Sequence, residues 1–391
     1  MQCRKVNRAC NIEFVTTAIT QGGATTTDSF DNANDLLSET YSGGTLAGLA
    51  VTNGYDTLMR RTNTVLLNPQ SAVLGSVAYV YDAASRLQTV SDLNNNSATY
   101  GYLANSALIG QITFKQGAPT RMTTTKTYDF LNRLAQISSV PSAASPASFN
   151  YSYNSANQRI MSRLADGSYW RFNHDLLGQV TSGHKFFADE TPVAGQQFDY
   201  SFDTIGNRTQ TKAGGDAAGA NQRVANYFAN LLNQYTNRDV PGAVDIMGIS
   251  IATNTVTVNG QTAYRKGEYF RLQLSVNNAS LPVWTNITVS APGQSTVTGN
   301  QFVPQIPEQF AYDADGNLTS DGRWYYGWDA ENRLVALTNK TSAGPQQVLR
   351  FESDAKGRRI HKQVWGNSTG SGSPTNDVKF VYDGWNLVSA S

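Results

Sequence analysis

The sequence predicts an all-β fold built from one repeated β-hairpin, and three observations predict it. A short phrase returns along the chain: an aromatic residue, Asp, three loosely specified residues, then Arg-Leu or a close variant. Tyr81-Asp82 leads to Arg86-Leu87, Tyr128-Asp129 to Arg133-Leu134, and Trp328-Asp329 to Arg333-Leu334. A recurring phrase marks a recurring supersecondary unit. The marker positions also keep a period near twenty-five residues: Asp31, Asp56, Asp82, Leu103, Asp129, Asn154, Asp175 and Asp203, resuming at Asp313, Asp329, Asp354 and Asp383. That period is too short for a propeller blade and fits two strands with their turns. Finally, the residues before the markers alternate, as in Val77, Tyr79 and Tyr81, in Phe149, Tyr151 and Tyr153, and in Phe198, Tyr200 and Phe202. Trp324, Tyr326 and Trp328 do the same, as do Val378, Phe380 and Tyr382. Period-two patterning puts such side chains on one face of a strand, where aromatics pair well with cross-strand neighbours.

Each marker is followed by turn chemistry. Asp313-Ala314-Asp315-Gly316-Asn317 and Asp203-Thr204-Ile205-Gly206-Asn207 are matching copies. Glycine at Gly206 and Gly316 supplies positive φ, and the leading Asp accepts hydrogen bonds from loop amides. Phe202 and Tyr312 are the aromatic residues that enter these two turns. Each repeat therefore reads as strand, tight turn, strand.

Between Asp203 and Asp313 the phrase is interrupted. Val224, Tyr227, Phe228, Leu231, Leu232 and Tyr235 recur at helical spacing and predict one amphipathic helix. Asp216 or Asn221 would cap its start and Asn237 would end it. Beyond it, Asn259-Gly260 between alternating segments signals a hairpin. The expected organisation is a repeat array over 1–211 and a linker with a short helix over 212–237. A small inserted β-sandwich over 238–309 and a continued array over 310–391 complete it.

Composition narrows the function. The chain has 391 residues, net charge +1 and 15% charged residues, against about 25% in an average protein. Nucleic acid is not an expected partner, because phosphate binding needs a basic stripe. No apolar run approaches the length of a membrane span, so no spanning helix is expected. The two cysteines, Cys3 and Cys10, exclude a disulfide framework for the rest of the chain, and the sequence leaves their own pairing open.

Chemical motifs are sparse. The Asp313, Asp315 and Asn317 turn lacks EF-hand spacing, so turn capping is the better reading. His174, His184 and His361 form no cluster with metal-ligand spacing. No nucleophile elbow, zincin motif or P-loop is present. No catalytic residue, cofactor or metal site is therefore expected. Trp324 and Trp328 are the candidates for stacking on a sugar ring, set against plain packing along the sheet. A polysaccharide hydrolase on this scaffold is the weakest reading, since no residue pattern favours it.

Tyr312-Asp313-Ala314-Asp315-Gly316-Asn317-Leu318-Thr319 followed by Trp328-Asp329-Ala330-Glu331-Asn332-Arg333-Leu334 resembles the signature of the RHS/YD repeat family. The resemblance spans roughly 28–211 and 310–388. It implies a spiral of β-hairpins forming part of a hollow shell, similar to the cocoons of bacterial insecticidal toxin complexes and to the teneurins. Bacterial members enclose a C-terminal toxic polypeptide, which would be the partner here. The resemblance implies a secreted or cell-surface location. The sequence has no Asp-Pro dipeptide, so the family's self-cleaving motif is absent, and it stops before the family's core segment and variable domain. It therefore reads as a segment of a longer protein, supplying part of a wall. The alternative is an adhesion module that recognises a glycan or protein through the insertion or the outer sheet face.

Overall fold

A computed structural model describes residues 3–5 and 15–390. The pairing of Cys3 and Cys10 lies outside the described side chains. The fold is all-β, with 58% strand and no helix among the described residues. Alternating side chains, aromatic and β-branched residues, and frequent turn signals leave no run for a helix to use.

The chain divides into two compact units, 1–147 with 329–336 and 349–391, and 148–328 with 337–348. In the first unit, successive strands from Val15–Gln21 to Leu134–Pro141 pair antiparallel, each with the next. The register shifts by one residue beside the marker turns, between Gly54 and Tyr55, Val80 and Tyr81, and Thr127 and Tyr128. An extra residue at that point is the bulge expected where a type I turn ends in a left-handed residue.

One face of this array is buried. Thr26, Asp28, Glu39, Tyr41, Val51, Asn53, Thr64 and Leu66 alternate along four neighbouring strands and are all nearly inaccessible. Tyr41, Leu46, Val51 and Leu66 form one core with Ile360 and Val381, which sit on the paired strands Arg359–Trp365 and Asn376–Asp383. This core is half polar, because the buried face also carries Asp28 and Glu39.

The second unit continues the hairpins from Ala147–Tyr153 to Arg208–Gly214. Here the structure corrects the helix expected over 212–237. Gln222–Ala229 is a strand paired with Arg208–Gly214 on one side and Tyr235–Arg238 on the other. The reason is a turn copy with Asn in place of Asp. Asn230 Oδ1 accepts the amides of Leu232 at 2.9 Å and Gln234 at 3.0 Å. Asn233 takes φ 61°. Leu231 and Leu232, assigned to an apolar helical face, stand at the turn tip, 103% and 76% exposed. Asp216 caps a turn of its own through the Ala218 and Ala220 amides, not a helix.

The chain leaves the array after Arg238 and returns beside it, with Asn237 opposite Gln309 and Arg238 opposite Glu308. Between them lie two small antiparallel sheets. Ala243–Ile249, Tyr269–Ser275 and Tyr264–Lys266 form one. Gln261–Thr262, Thr257–Val258, Val283–Ser290 and Val297–Val303 form the other. Val256, Val258, Ala263 and Phe270 make a separate apolar core, flanked by Ile246, Leu272, Ile287 and Val289. This is a small β-sandwich, within which the two-residue Asn259-Gly260 turn, with φ of 47° and 78°, joins Thr257–Val258 to Gln261–Thr262.

Candidate functional site

The candidate site is distributed: it is the repeat phrase itself. In the Asp82 turn, the backbone closes with Asp82 N–H donating to Arg86 O and Ser85 N–H to Asp82 O, both at 2.9 Å. Asp82 Oδ1 accepts the amides of Ala84 and Arg86 at 2.9 Å. Its other oxygen receives Arg86 Nε at 2.8 Å. The Arg86 amide and guanidinium together hold the Asp82 carboxyl below the usual carboxylate range. Asp129 with Arg133 and Asp329 with Arg333 repeat this arrangement. At Asp203 and Asp313 the arginine is replaced by Asn207 and Asn317, whose amides donate to the same oxygen. Gly206 and Gly316 take φ 93° and 87° at the left-handed position. Met59 and Ser85 occupy that position in other copies, where their side chains are strained.

The turn residues also clamp one repeat to the next. Tyr81 Oη donates to Arg61 O at 2.8 Å, Tyr102 Oη to Leu87 O at 2.7 Å, and Tyr128 Oη to Ile109 O at 3.0 Å. In each case the acceptor is the first strand residue after the preceding turn. Tyr55, Tyr312 and Tyr382 follow the same rule on Leu36, Tyr235 and Arg359. Trp328 follows it through its indole N–H on Leu318 O, at 2.8 Å. The preceding arginine closes the clamp from above. Arg60 lies 4.7 Å over the Tyr81 ring and donates to Ser85 Oγ, and Arg86 lies 4.3 Å over Tyr102 and donates to Ser106 O. Such cation–π contacts contribute about 0.5–1 kcal/mol at exposed sites.

Sequence reasoning placed these aromatics on one face but missed their hydroxyl bonds. The signal was present, because the residue before each marker is Tyr or Trp, with a polar tip, far more often than Phe. Phe202, one of the exceptions, has no hydroxyl to donate. The turn copies at Asn68, Asp216 and Asn230 were also missed, although each has Ser, Gly or Asn three residues on.

Trp324 and Trp328 are partly buried. The Arg323 guanidinium sits 5.0 Å over the Trp324 ring and 5.6 Å over Trp284. One face of Trp324 is thus covered by the chain itself. His184 bonds Asp199 at 3.0 Å, and His361 faces Asp377 and Glu352. Among the described residues, no group of three His, Cys, Asp or Glu side chains is placed to hold a metal ion. No helix among them is long and apolar enough to cross a membrane. In the second unit, a cavity of about 530 Å³ lies beside the sandwich, lined by Phe187, Tyr269, Lys185, Lys266, Met247 and Ile249. Phe187 and Tyr269 meet edge to face at 5.7 Å.

These features define an antiparallel hairpin-repeat protein whose repeated residues bond to one another. No family model matches the chain. It is 40% identical over 88 residues to the tRNA3(Ser)-specific nuclease WapA of Bacillus spizizenii and to the tRNA nuclease WapA of Bacillus subtilis strain 168. That stretch is 22% of this chain and 3% of each relative. Among solved structures, TcdB2-TccC3-TEV has a TM-score of 0.43 at 11% identity, covering 96% of this chain and 22% of that one. The Photorhabdus luminescens Tc holotoxin pore has a TM-score of 0.32 at 9% identity, over 96% of this chain and 26% of that one.

Proposed function

We propose that this chain is a non-enzymatic wall segment of an RHS-type repeat shell, exported or displayed at the cell surface, which encloses or presents a C-terminal toxin-like polypeptide. The observation that carries the reading is the clamp. The residues that recur most faithfully spend their polar groups on each other and on neighbouring backbone. A recurring residue whose bonding capacity is used internally is a building element rather than a reaction centre. The partial likeness to the WapA nucleases supports placing the chain in a toxin of that kind. A continuous hydrogen-bonded sheet excludes solvent and proteases from what lies behind it, because it leaves no backbone edge between repeats. The test is limited proteolysis of the full-length gene product. The C-terminal polypeptide should stay intact until urea unfolds the repeats. Digestion of that polypeptide at the same rate in native buffer and in urea refutes enclosure.

The cavity with Phe187 and Tyr269 supports the second reading, a surface module that recognises a glycan or protein. An aromatic pair beside amine and amide donors suits a sugar ring. A glycan array probed with the whole chain and with Tyr269→Ala decides it: no binding by the whole chain removes the simple form of this reading.

A further inference from the structure

The first unit buries a cluster of five charged side chains, of which Asp354 and Arg358 form a copy of the marker turn while the side chains of Asp28, Glu39 and Lys356 take no part in it. Asp28 and Glu39 face each other across paired strands. Both reach one ammonium: Lys356 Nζ lies 2.9 Å from each Asp28 oxygen and 3.0 Å from Glu39 Oε2. Glu39 is also bonded by the Arg358 guanidinium and by Tyr41 Oη, and Arg358 in turn holds Asp354. The Glu39 and Arg358 side chains are each 1% exposed, Asp28 12% and Lys356 20%.

We propose that this cluster is a self-modification site, at which the Lys356 amine and the Asp28 carboxyl condense to an intramolecular isopeptide bond assisted by Glu39. Three features of the geometry support it. The amine lies 2.9 Å from each oxygen of the acid it would attack, and so is held in contact with that carboxyl. A second carboxylate contacts the same nitrogen. All three groups meet at the buried face of the array, where water is scarce. Fixing reactants in contact distance replaces a bimolecular encounter by an intramolecular one, and a dry site favours condensation over hydrolysis.

The protonation states suit the chemistry. Burial pushes the Asp28 carboxyl up despite the Lys356 contact, towards the neutral acid that an amine can attack. Burial also pulls Glu39 upward, but its bonds from Arg358, Tyr41 and Lys356 outweigh this and keep it ionised as a base. In the step, Glu39 accepts a proton from the Lys356 ammonium, and the freed lone pair forms a bond to Cγ of the neutral Asp28 acid. Glu39 then passes that proton to the hydroxyl as the Cγ–OH bond breaks, and water departs. The nitrogen's second proton leaves to solvent, replacing the one that had neutralised Asp28. Counted from the ionised pair, one ammonium and one carboxylate become one neutral amide and one water, and Glu39 ends as it began. A cavity of about 220 Å³ lined by Thr26, Tyr41 and Asp354 adjoins the cluster and gives that water an exit. The product removes two buried charges, whose desolvation opposes folding. It also ties together positions 328 apart in sequence, a covalent staple of the kind that limits the unfolded chain.

The test is the intact mass of the purified, reduced chain. The expected mass is lower than the sequence mass by one water, and a digest should contain one branched peptide joining Asp28 to Lys356. An unmodified mass, or a link between any other pair, overturns the proposal without any variant. Lys356→Arg and Asp28→Ala should each restore the full mass. Asp28→Asn should link with loss of ammonia in place of water. Glu39→Gln should slow or abolish the link in chain that still shows native circular dichroism. An unaffected link in that variant rules out the part assigned to Glu39.

Discussion

Tyr128→Phe isolates the clamp, since it removes one hydroxyl and leaves the ring. Tyr128 Oη donates to Ile109 O at 3.0 Å across the boundary between consecutive repeats. Losing one such bond costs about 1 kcal/mol, and up to about 3 kcal/mol if the carbonyl is left buried without a partner. Tyr81→Phe removes the equivalent bond to Arg61 O and should cost the same. The two sites lie in different repeats with no shared partner, so the double variant should lose about 2 kcal/mol, the sum of the two. Equilibrium urea unfolding followed by circular dichroism reads this as a fall in midpoint at constant slope. Tyr325→Phe is the control, because Tyr325 is 50% exposed and carries no clamp bond. Clamp variants that melt with the wild type, or a control that shifts as far as they do, refute a stabilising role for the hydroxyl clamp.

Other outcomes follow from the same structure. Met59→Gly relieves a side chain held at φ 58°; it should raise stability by about 0.5–1 kcal/mol in the same urea assay. Phe270→Ala opens the core of the inserted sandwich and should cost that module about 3–5 kcal/mol, seen as protease cleavage confined to residues 239–307. The Asp56, Asp82 and Asp129 carboxyls are all held below their ordinary value by their turn amides and arginines. Their folded pKa lies beneath the unfolded one, so their stabilisation is complete above about 3.9 and is lost as pH falls through the lower folded value. Melting temperature should therefore be insensitive to these groups from neutral pH down to that point and drop only below it. A drop centred near pH 6 contradicts this.

Much of the fold was legible because its rules are local. Period-two aromatics, the Asp-led turn and the Asn259-Gly260 hairpin each depend on a few adjacent residues, and all three stand in the structure as strands, turns and a hairpin of the sandwich. The helix reading of Val224 to Tyr235 failed for an instructive reason. Apolar residues at i, i+3 and i+4 also arise when a strand ends in a Leu-Leu turn tip. What separates the two cases is the edge of the preceding hairpin, Arg208–Gly214, which offers the backbone a ladder of partners. No window of sequence contains that edge.

What the amino-acid sequence determined by itself was the repeating unit: the turn chemistry of its markers and the face its aromatics share. Only the tertiary structure decided how copies are joined. The tyrosine hydroxyls end on carbonyls one repeat away, and Lys356 meets Asp28 and Glu39 although most of the chain separates it from them. Turn chemistry is written in neighbouring residues, whereas a hydrogen bond between strands depends on register, which the assembled sheet alone specifies.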